Sequence, residues 1–147
     1  MRVTSDCPFI DYELGNEMID SIINNSSDIV RLDGELPRGL EPQIVSFDAL
    51  DFMYHHAFEN RYREHVTYYA YENPEQFKSS WIVIDKEMNY PDLRVTVDTD
   101  EDYALMKVIS TMLDQSIYLS SRKIVEFLLD NPSIASINSH VQQKPVQ

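Results

Sequence analysis

The chain has 147 residues, and its 25 acidic and 12 basic side chains give a net charge of −13. That length suits one domain, and 43% apolar residues are enough to build a core. Because nucleic acids are bound by clustered Lys and Arg, the acidic balance argues against a nucleic-acid surface. A nucleotide remains compatible if a divalent cation offsets the like charges; otherwise the charge serves solubility.

The cysteine content and the hydropathy pattern indicate a compartment. Cys7 is the single cysteine, so no disulfide forms within the chain, as is typical of reducing conditions. No apolar run approaches the roughly 20 residues of a membrane span, and the first residues lack the apolar segment of a signal peptide. We therefore expect a cytoplasmic protein without membrane contact.

The first part of the chain is predicted to begin inside a strand that a turn at Asp6-Cys7-Pro8 ends. Asp11 is placed to cap a helix whose apolar residues follow helical spacing. A segment with two Gly and two Pro then predicts a long loop. The predicted order is a strand end at 2–5, a helix at 12–25, a strand at 28–33, a loop at 34–42 and a strand at 44–47.

The second part of the chain continues the alternation of helices and strands. Ser46 or Asp48 caps a helix expected to turn four side chains inward, which are Leu50, Met53, Tyr54 and Ala57. Thr99 with Asp102 is a variant of the capping box. The predicted helices are 48–59, 63–71, 99–113 and 121–130, and the predicted strands are 77–84 and 93–97.

This alternation predicts an α/β class with a mixed sheet flanked by helices. We assign residues 1–138 to one domain, or to the second half of one, and residues 139–147 to a polar tail. Chain termini usually carry a few loose residues, so a start inside a strand leads us to expect that a longer domain begins upstream.

Two carboxylates occupy positions suited to chemistry. Asp6 and Asp98 each end a predicted strand, and ligands of open α/β sheets bind at the carboxyl ends of strands. Together they suit one Mg²⁺, which takes few protein ligands plus water and phosphate oxygens. The alternatives from position alone are that Asp98 caps the following helix and that Asp6 is a turn residue.

Two further segments carry polar candidates. In the long loop, Gly39 suits a positive φ or a close backbone approach, with Arg38 and Glu41 beside it to meet a sugar; the alternative is an ordinary surface turn. His65, expected with Arg63 and Glu64 in the first turn of a helix, suits an anion or a hydroxyl, although a lone helix histidine is more often structural.

Four segments in order resemble the spore coat polysaccharide (SpsF-type) cytidylyltransferase-like family. The first is similar to its Arg-x-Thr-Gly-Asp-Cys-Pro-Leu-Ile-Asp segment, with Ser5 replacing Gly. The second is similar to Pro-x-Gly-Leu-Asp-x-Glu-x-Phe-Ser-Phe-x-Ala-Leu, with Gln43 replacing Glu. The third matches Arg-Glu-His-Val-Thr. The fourth is similar to Arg-Trp-Thr-Val-Asp-Thr-Pro-Glu-Asp, with Asp100 replacing Pro. They span residues 2–11, 37–50, 63–67 and 94–102.

The resemblance implies the C-terminal part of a Rossmann-like nucleotide-diphospho-sugar transferase fold. It further implies attack of a sugar or sugar-acid hydroxyl on the α-phosphate of CTP, with Asp6 and Asp98 holding Mg²⁺ or Mn²⁺. The substrate side would carry the remaining candidates, which are Arg2, Arg38, Gly39, Glu41, Arg63, Glu64 and His65. The family's phosphate-binding loop, Ala-Arg-x-Gly-Ser-x-Arg-Leu-Pro-Gly-Lys, has no counterpart in the sequence.

Because backbone N–H groups and basic side chains of such a loop grip phosphates, we expect weak or no activity from these residues alone. A non-catalytic binding or assembly module and a glycosyltransferase remain as alternatives. As partners we expect CTP and a sugar, and either a homodimer or association with the missing N-terminal half, because open sheet edges and apolar faces favour association.

Overall fold

The computed structural model describes residues 1–113 and 118–143. Its helices are α1 Tyr12–Asn25, α2 Phe47–His56, α3 Asn60–Glu64, α4 Tyr68–Glu72, α5 Asp100–Met112, α6 Ser121–Asp130 and α7 Pro132–Ala135. Its strands are β1 Ile29–Asp33 and β2 Ser79–Val83, and short 3-10 turns cover Pro74–Gln76 and Lys86–Met88. None of the helices in the described ranges is both long and apolar enough to cross a bilayer.

The predicted α/β class with flanking helices is confirmed, and the sheet itself has two strands. Strands β1 and β2 pair in parallel, with Ile29 opposite Ser79 and Asp33 opposite Val83. Isolated bridges extend this pair: Arg2 with Gln43 and Ile29 with Val45 are antiparallel, and Arg38 with Arg94 is parallel. The bridges place the beginning of the chain, the long loop and the segment before α5 beside one another.

Some predicted elements are shorter than expected. The segments 44–47 and 93–97 were predicted as strands but make single bridges rather than ladders. In the first case the chain turns into α2 directly after Val45, because Ser46 caps that helix by accepting from the N–H of Ala49 at 3.0 Å. The helix predicted at 63–71 is divided into α3 and α4, since His65 ends α3.

Two apolar clusters lie on either side of the sheet. The larger one packs α1, α5 and α6 against Val30 and Ile82, with Met18, Ile109 and Ile124 almost without exposed surface. The smaller one joins α2 and α4 to Ile29 and Phe77 through Ala49, Met53 and Ala70. Of the four α2 residues expected inside, Met53 and Ala57 are buried. The prediction is wrong for Leu50 and Tyr54, which are 40% and 64% exposed. Ala49 takes the place expected for Leu50, so the buried face, with Ala49 and Met53 one helical turn apart, is rotated around α2 from the expected one.

Candidate functional site

Asp6 lies against the segment that leads to Asp98. The carbonyl oxygen of Asp6 accepts from the N–H of Val97 at 2.8 Å and from the Thr96 hydroxyl at 3.0 Å. The same hydroxyl donates to the Asp6 carboxylate at 3.3 Å. Because Asp98 directly follows Val97, these bonds bring the two predicted acids to the same place on the molecule.

The Asp6 carboxylate is held in its charged form. Burial acts to raise the pKa of Asp6, but hydrogen bonds from Thr4, from its own backbone N–H and from Thr96, with the charge of Arg38, lower it further than burial raises it. The net pKa of Asp6 therefore lies below its ordinary value, which favours the charged carboxylate.

Asp98 is held by a buried arginine. Arg94 is 7% exposed and donates to Asp98 through one nitrogen and to both oxygens of the fully buried Asp102, at 2.8 and 3.0 Å. The buried Asn138 donates to Asp102 at 2.7 Å and to the Arg94 carbonyl at 3.1 Å. The Asp98 side chain keeps 44% of its surface exposed while Arg94 holds its orientation.

The capping alternative for Asp98 is decided against by the neighbouring residues. Thr99 is the cap of α5, and its side chain accepts from the N–H of Asp102 at 3.2 Å. The Asp102 carboxylate in turn accepts from the N–H groups of Thr99 and Asp98, at 3.1 and 3.0 Å. The predicted capping box is confirmed, and the carboxylate of Asp98 is not needed for it.

Arg38 and Gly39 belong to the same region. The N–H of Arg38 donates to Leu93, and its carbonyl accepts from Val95 at 2.8 Å. Gly39 has a φ of 101°, and a Cβ there would lie 2.7 Å from the backbone carbon and oxygen of Val95. Both the positive φ and the close approach expected for Gly39 are thus present, so any larger residue would push the loop away from the site.

A second polar cluster surrounds Gln43. Its side-chain oxygen accepts from the Arg2 guanidinium at 2.6 Å and from the Thr67 hydroxyl at 2.7 Å. Burial raises the pKa of Tyr71 to about 12, and the charge of Glu41 acts in the same direction. The charge of Arg2 acts in the opposite direction, so Arg2 and Glu41 both lie within electrostatic range of Tyr71.

Arg63 and Glu64 are not brought to either cluster. They lie in the last turn of α3, with His65 as its C-terminal cap, and not in the first turn of a helix as expected. The Arg63 guanidinium sits 5.1 Å from the centre of the Tyr54 ring and 6.0 Å from that of Phe58. Glu64 is exposed, and His65 is half-buried beside Tyr68. Of the predicted Arg-Glu-His-Val-Thr segment, Thr67 reaches the polar cluster.

The sequence reasoning found the two acids but missed the residues that hold them. Arg94, Thr96 and Asp98 alternate along an extended segment, which places them on one side of it. That period of two was available in the sequence. In the sequence, Gln43 is only a departure from a family motif. No pattern around Tyr71 indicates that it belongs to the polar cluster.

The two carboxylates, Asp6 and Asp98, fit Mg²⁺ if water and substrate phosphates supply its other ligands. Across residues 1–113 and 118–143, no group of three or more His, Cys, Asp or Glu side chains is placed to hold a metal ion. Two carboxylates fit a hard cation that takes its other ligands from water and from substrate phosphates.

The chain is similar over nearly its whole length to two longer proteins, although no protein-family model matches its sequence. An uncharacterized protein of Methanocaldococcus jannaschii is 35% identical over 98% of the chain and 58% of its own length. The spore coat polysaccharide biosynthesis protein SpsF of Bacillus subtilis is 29% identical over 92% of the chain and 57% of its own length.

A solved structure extends the comparison to the fold. A cytidylyltransferase from Leptospira borgpetersenii superposes with a TM-score of 0.79 at 26% identity, over 95% of the chain and 58% of that protein. The chain thus spans well under two thirds of the length of each relative.

Proposed function

We propose that the chain, which is similar to SpsF and has the Rossmann-like α/β fold of a cytidylyltransferase, carries the acidic part of a sugar nucleotidyltransferase active site. The reaction is transfer of a cytidylyl group from CTP to a sugar or sugar acid. A sugar hydroxyl oxygen forms a bond to the α-phosphorus of CTP, the bond to the β-phosphate breaks, and pyrophosphate leaves. The hydroxyl proton passes to solvent or to a base.

One observation supports this proposal above the others, namely the 2.8 Å hydrogen bond from the N–H of Val97, the residue before Asp98, to the Asp6 carbonyl. In the proposal, these two carboxylates hold Mg²⁺ or Mn²⁺, which when bound offsets the phosphate charge. Arg94 fixes the direction of Asp98. Arg38 lies close enough to lower the pKa of Asp6.

The sugar side of the proposed site is the cluster around Gln43. Arg2 and Glu41 offer one cation and one anion there, a pairing suited to hydroxyl groups as well as to a carboxylate. We assign Arg63, Glu64 and His65 to the substrate side only through the motif they share with the family, because α3 places the first two beside exposed aromatic rings instead.

The test is pyrophosphate release from CTP in the presence of Mg²⁺ and a panel of sugars and sugar acids, measured on the protein together with the N-terminal half that the family resemblance implies. Asp6→Asn and Asp98→Asn are expected to lower turnover by about a hundredfold or more, since each removes a charged ligand. Asp100→Asn is the matched control, because Asp100 is exposed two residues away and points to neither acid's partner. Mn²⁺ titration in the presence of CTP, followed by calorimetry, reads the same site without turnover.

Unchanged turnover and unchanged Mn²⁺ binding in Asp98→Asn would contradict the metal assignment. Wild-type chain that neither releases pyrophosphate nor binds Mn²⁺ with CTP would favour the non-catalytic module. Transfer from a sugar nucleotide without CTP would favour a glycosyltransferase.

A further inference from the structure

The segment at residues 138–143 lies against the arginine that holds Asp98. The side-chain oxygen of Gln143 accepts from one terminal nitrogen of the Arg94 guanidinium, Nη1, at 2.8 Å. The other terminal nitrogen, Nη2, donates to Asp98 and, at 3.0 Å, to Asp102. One guanidinium group therefore joins the carboxylate of Asp98 to a residue far along the chain.

A buried residue keeps this segment in place. Asn138 is 1% exposed, and its amide donates to the Asp102 carboxylate at 2.7 Å and to the Arg94 carbonyl at 3.1 Å. The N–H of Val141 donates to the Asn138 carbonyl at 2.9 Å, which closes a turn ahead of Gln143. The segment is thus anchored beside Arg94 before it reaches the guanidinium.

The shape of the guanidinium transmits the contact with Gln143 to Asp98. The group is planar and its N–H donors keep a fixed arrangement. Nε and Nη2 bind the two oxygens of Asp102, at 2.8 and 3.0 Å. Because Gln143 holds Nη1 as well, all three nitrogens are fixed, and the N–H that points at Asp98 keeps its direction. Gln143 does this as a neutral acceptor, so it adds no negative charge beside the two acids.

A fixed direction matters for Asp98 because its side chain is partly free. It is 44% exposed, and an exposed side chain loses rotamer freedom when it is ordered. Arg94 contacts Oδ2 of Asp98, so an immobile guanidinium restricts the whole carboxylate. Partners that orient a metal ligand commonly change metal affinity by about 10–100-fold.

We propose that Gln143 is a positioning residue for Asp98, acting through Arg94, and that Asn138 anchors the segment that presents it. The inference rests on the proposed function, because it takes Asp98 as a ligand of the cation. Gln143 is itself exposed, so its substitution changes the hold on Arg94 with little effect on folding.

The first measurement is ¹⁵N NMR of the Arg94 guanidinium in the 147-residue chain. The two terminal nitrogens have different partners, so slow rotation and separate signals are expected in the wild type. Gln143→Ala removes the partner of Nη1 and is expected to speed its rotation about tenfold, the effect of one hydrogen bond to a charged group. Gln143→Glu keeps an acceptor and should retain slow rotation. Gln142→Ala, at the exposed neighbouring residue, is the matched control and should leave the spectrum unchanged.

The second measurement is calorimetric titration of Mn²⁺ in the presence of CTP, on the protein together with the N-terminal half that the family resemblance implies. Gln143→Ala is expected to weaken Mn²⁺ binding about three- to tenfold, less than the loss of a direct partner of a metal ligand. Gln143→Glu and Gln142→Ala are expected to bind Mn²⁺ as the wild type does. Urea midpoints that agree among the four proteins separate this loss from a loss of stability.

Slow rotation that survives in Gln143→Ala would overturn the inference, because Gln143 would not be what holds Arg94. Faster rotation with unchanged Mn²⁺ affinity would overturn it too, since the hold on Arg94 would not reach Asp98. A wild type that binds no Mn²⁺ would instead overturn the proposed function, and this inference with it. That result is distinguishable from the other two because it is read on the wild type alone.

Discussion

The N-terminus of α5 and the outward face of α2 differ in whether their side chains find partners within the chain. Both helices begin with a hydroxyl cap, from Thr99 at 3.2 Å and from Ser46 at 3.0 Å. At α5 the surrounding polar groups are then satisfied within the chain, through Arg94 and Asp102. At α2 several outward side chains are apolar and remain in water, among them Phe47 and Tyr54 at 79% and 64% exposure.

The polar network at α5 stabilises the fold, whereas the exposed apolar side chains of α2 are accessible to a ligand or partner. A buried ion pair tolerates the loss of neither member, so the α5 end is expected to be rigid. An exposed apolar stripe adds little to the stability of a single chain, because its surface is not removed from water on folding. Substitutions at the two regions should therefore change different measurements.

The largest expected effect is at Asp102. Asp102→Ala leaves the 7% exposed Arg94 guanidinium without its main partner. Breaking a buried ion pair in this way costs about 3–5 kcal/mol in the free energy of unfolding. Urea denaturation followed by circular dichroism measures it. Asp100→Ala, in the same turn but exposed, is the control and should stay within about 0.5 kcal/mol. A loss below about 1 kcal/mol at Asp102 would show that the network does not stabilise the fold.

The second effect is the difference in stability between substitutions on the buried and on the exposed face of α2. Met53→Ala removes a side chain that is 2% exposed and is expected to cost roughly 2–5 kcal/mol of unfolding free energy. Tyr54→Ala, one residue along but 64% exposed, should cost about 0.5 kcal/mol or less in dilute protein. A large loss at Tyr54 would instead place that ring in the core.

The smallest effect is the response to acid. Burial acts to raise the pKa of Asp102, but hydrogen bonds from Arg94 and Asn138 lower it far below its ordinary value. Below about pH 4 the unfolded chain therefore takes up a proton that the folded chain does not. Stability is fully present above that pH and falls as the pH drops, with a slope of about 1.4 kcal/mol per pH unit for this proton.

Urea midpoints between about pH 3 and 6 measure that slope. Asp102→Asn cannot take up the proton, so its stability should fall less steeply with acid than that of the wild type. Parallel curves for the two proteins would contradict the assignment. Asp6, whose pKa is also lowered, adds to the slope in both proteins and so cancels in the difference.

Local patterns in the sequence were sufficient for most helices. The cap at Asp11 and the apolar spacing after it placed α1 at Tyr12–Asn25, as observed. The helix at Ser121–Asp130 was also predicted to the residue. Helices depend on contacts within a few residues, so their signals lie in short segments.

The shorter strands and the orientation of α2 could not be read in the same way. Segments 44–47 and 93–97 have strand composition, yet each makes one bridge because its neighbours turn away. On α2, Leu50 and Tyr54 are as apolar as Met53. Which face turned inward was decided by the small cluster around Ile29 and Phe77, which no local pattern contains.

Caps, turns and alternation act between near neighbours, so the α/β class, the capping box at Thr99 and the two acids at segment ends could be predicted from the sequence. Tertiary packing brings the backbone of Asp6 against the segment that leads to Asp98, 92 positions later in the numbering, and places Arg94 against the second acid. It likewise placed Arg63 beside aromatic rings and not beside the acids. Such meetings depend on how distant segments pack to bury apolar surface, and that is a property of the whole chain.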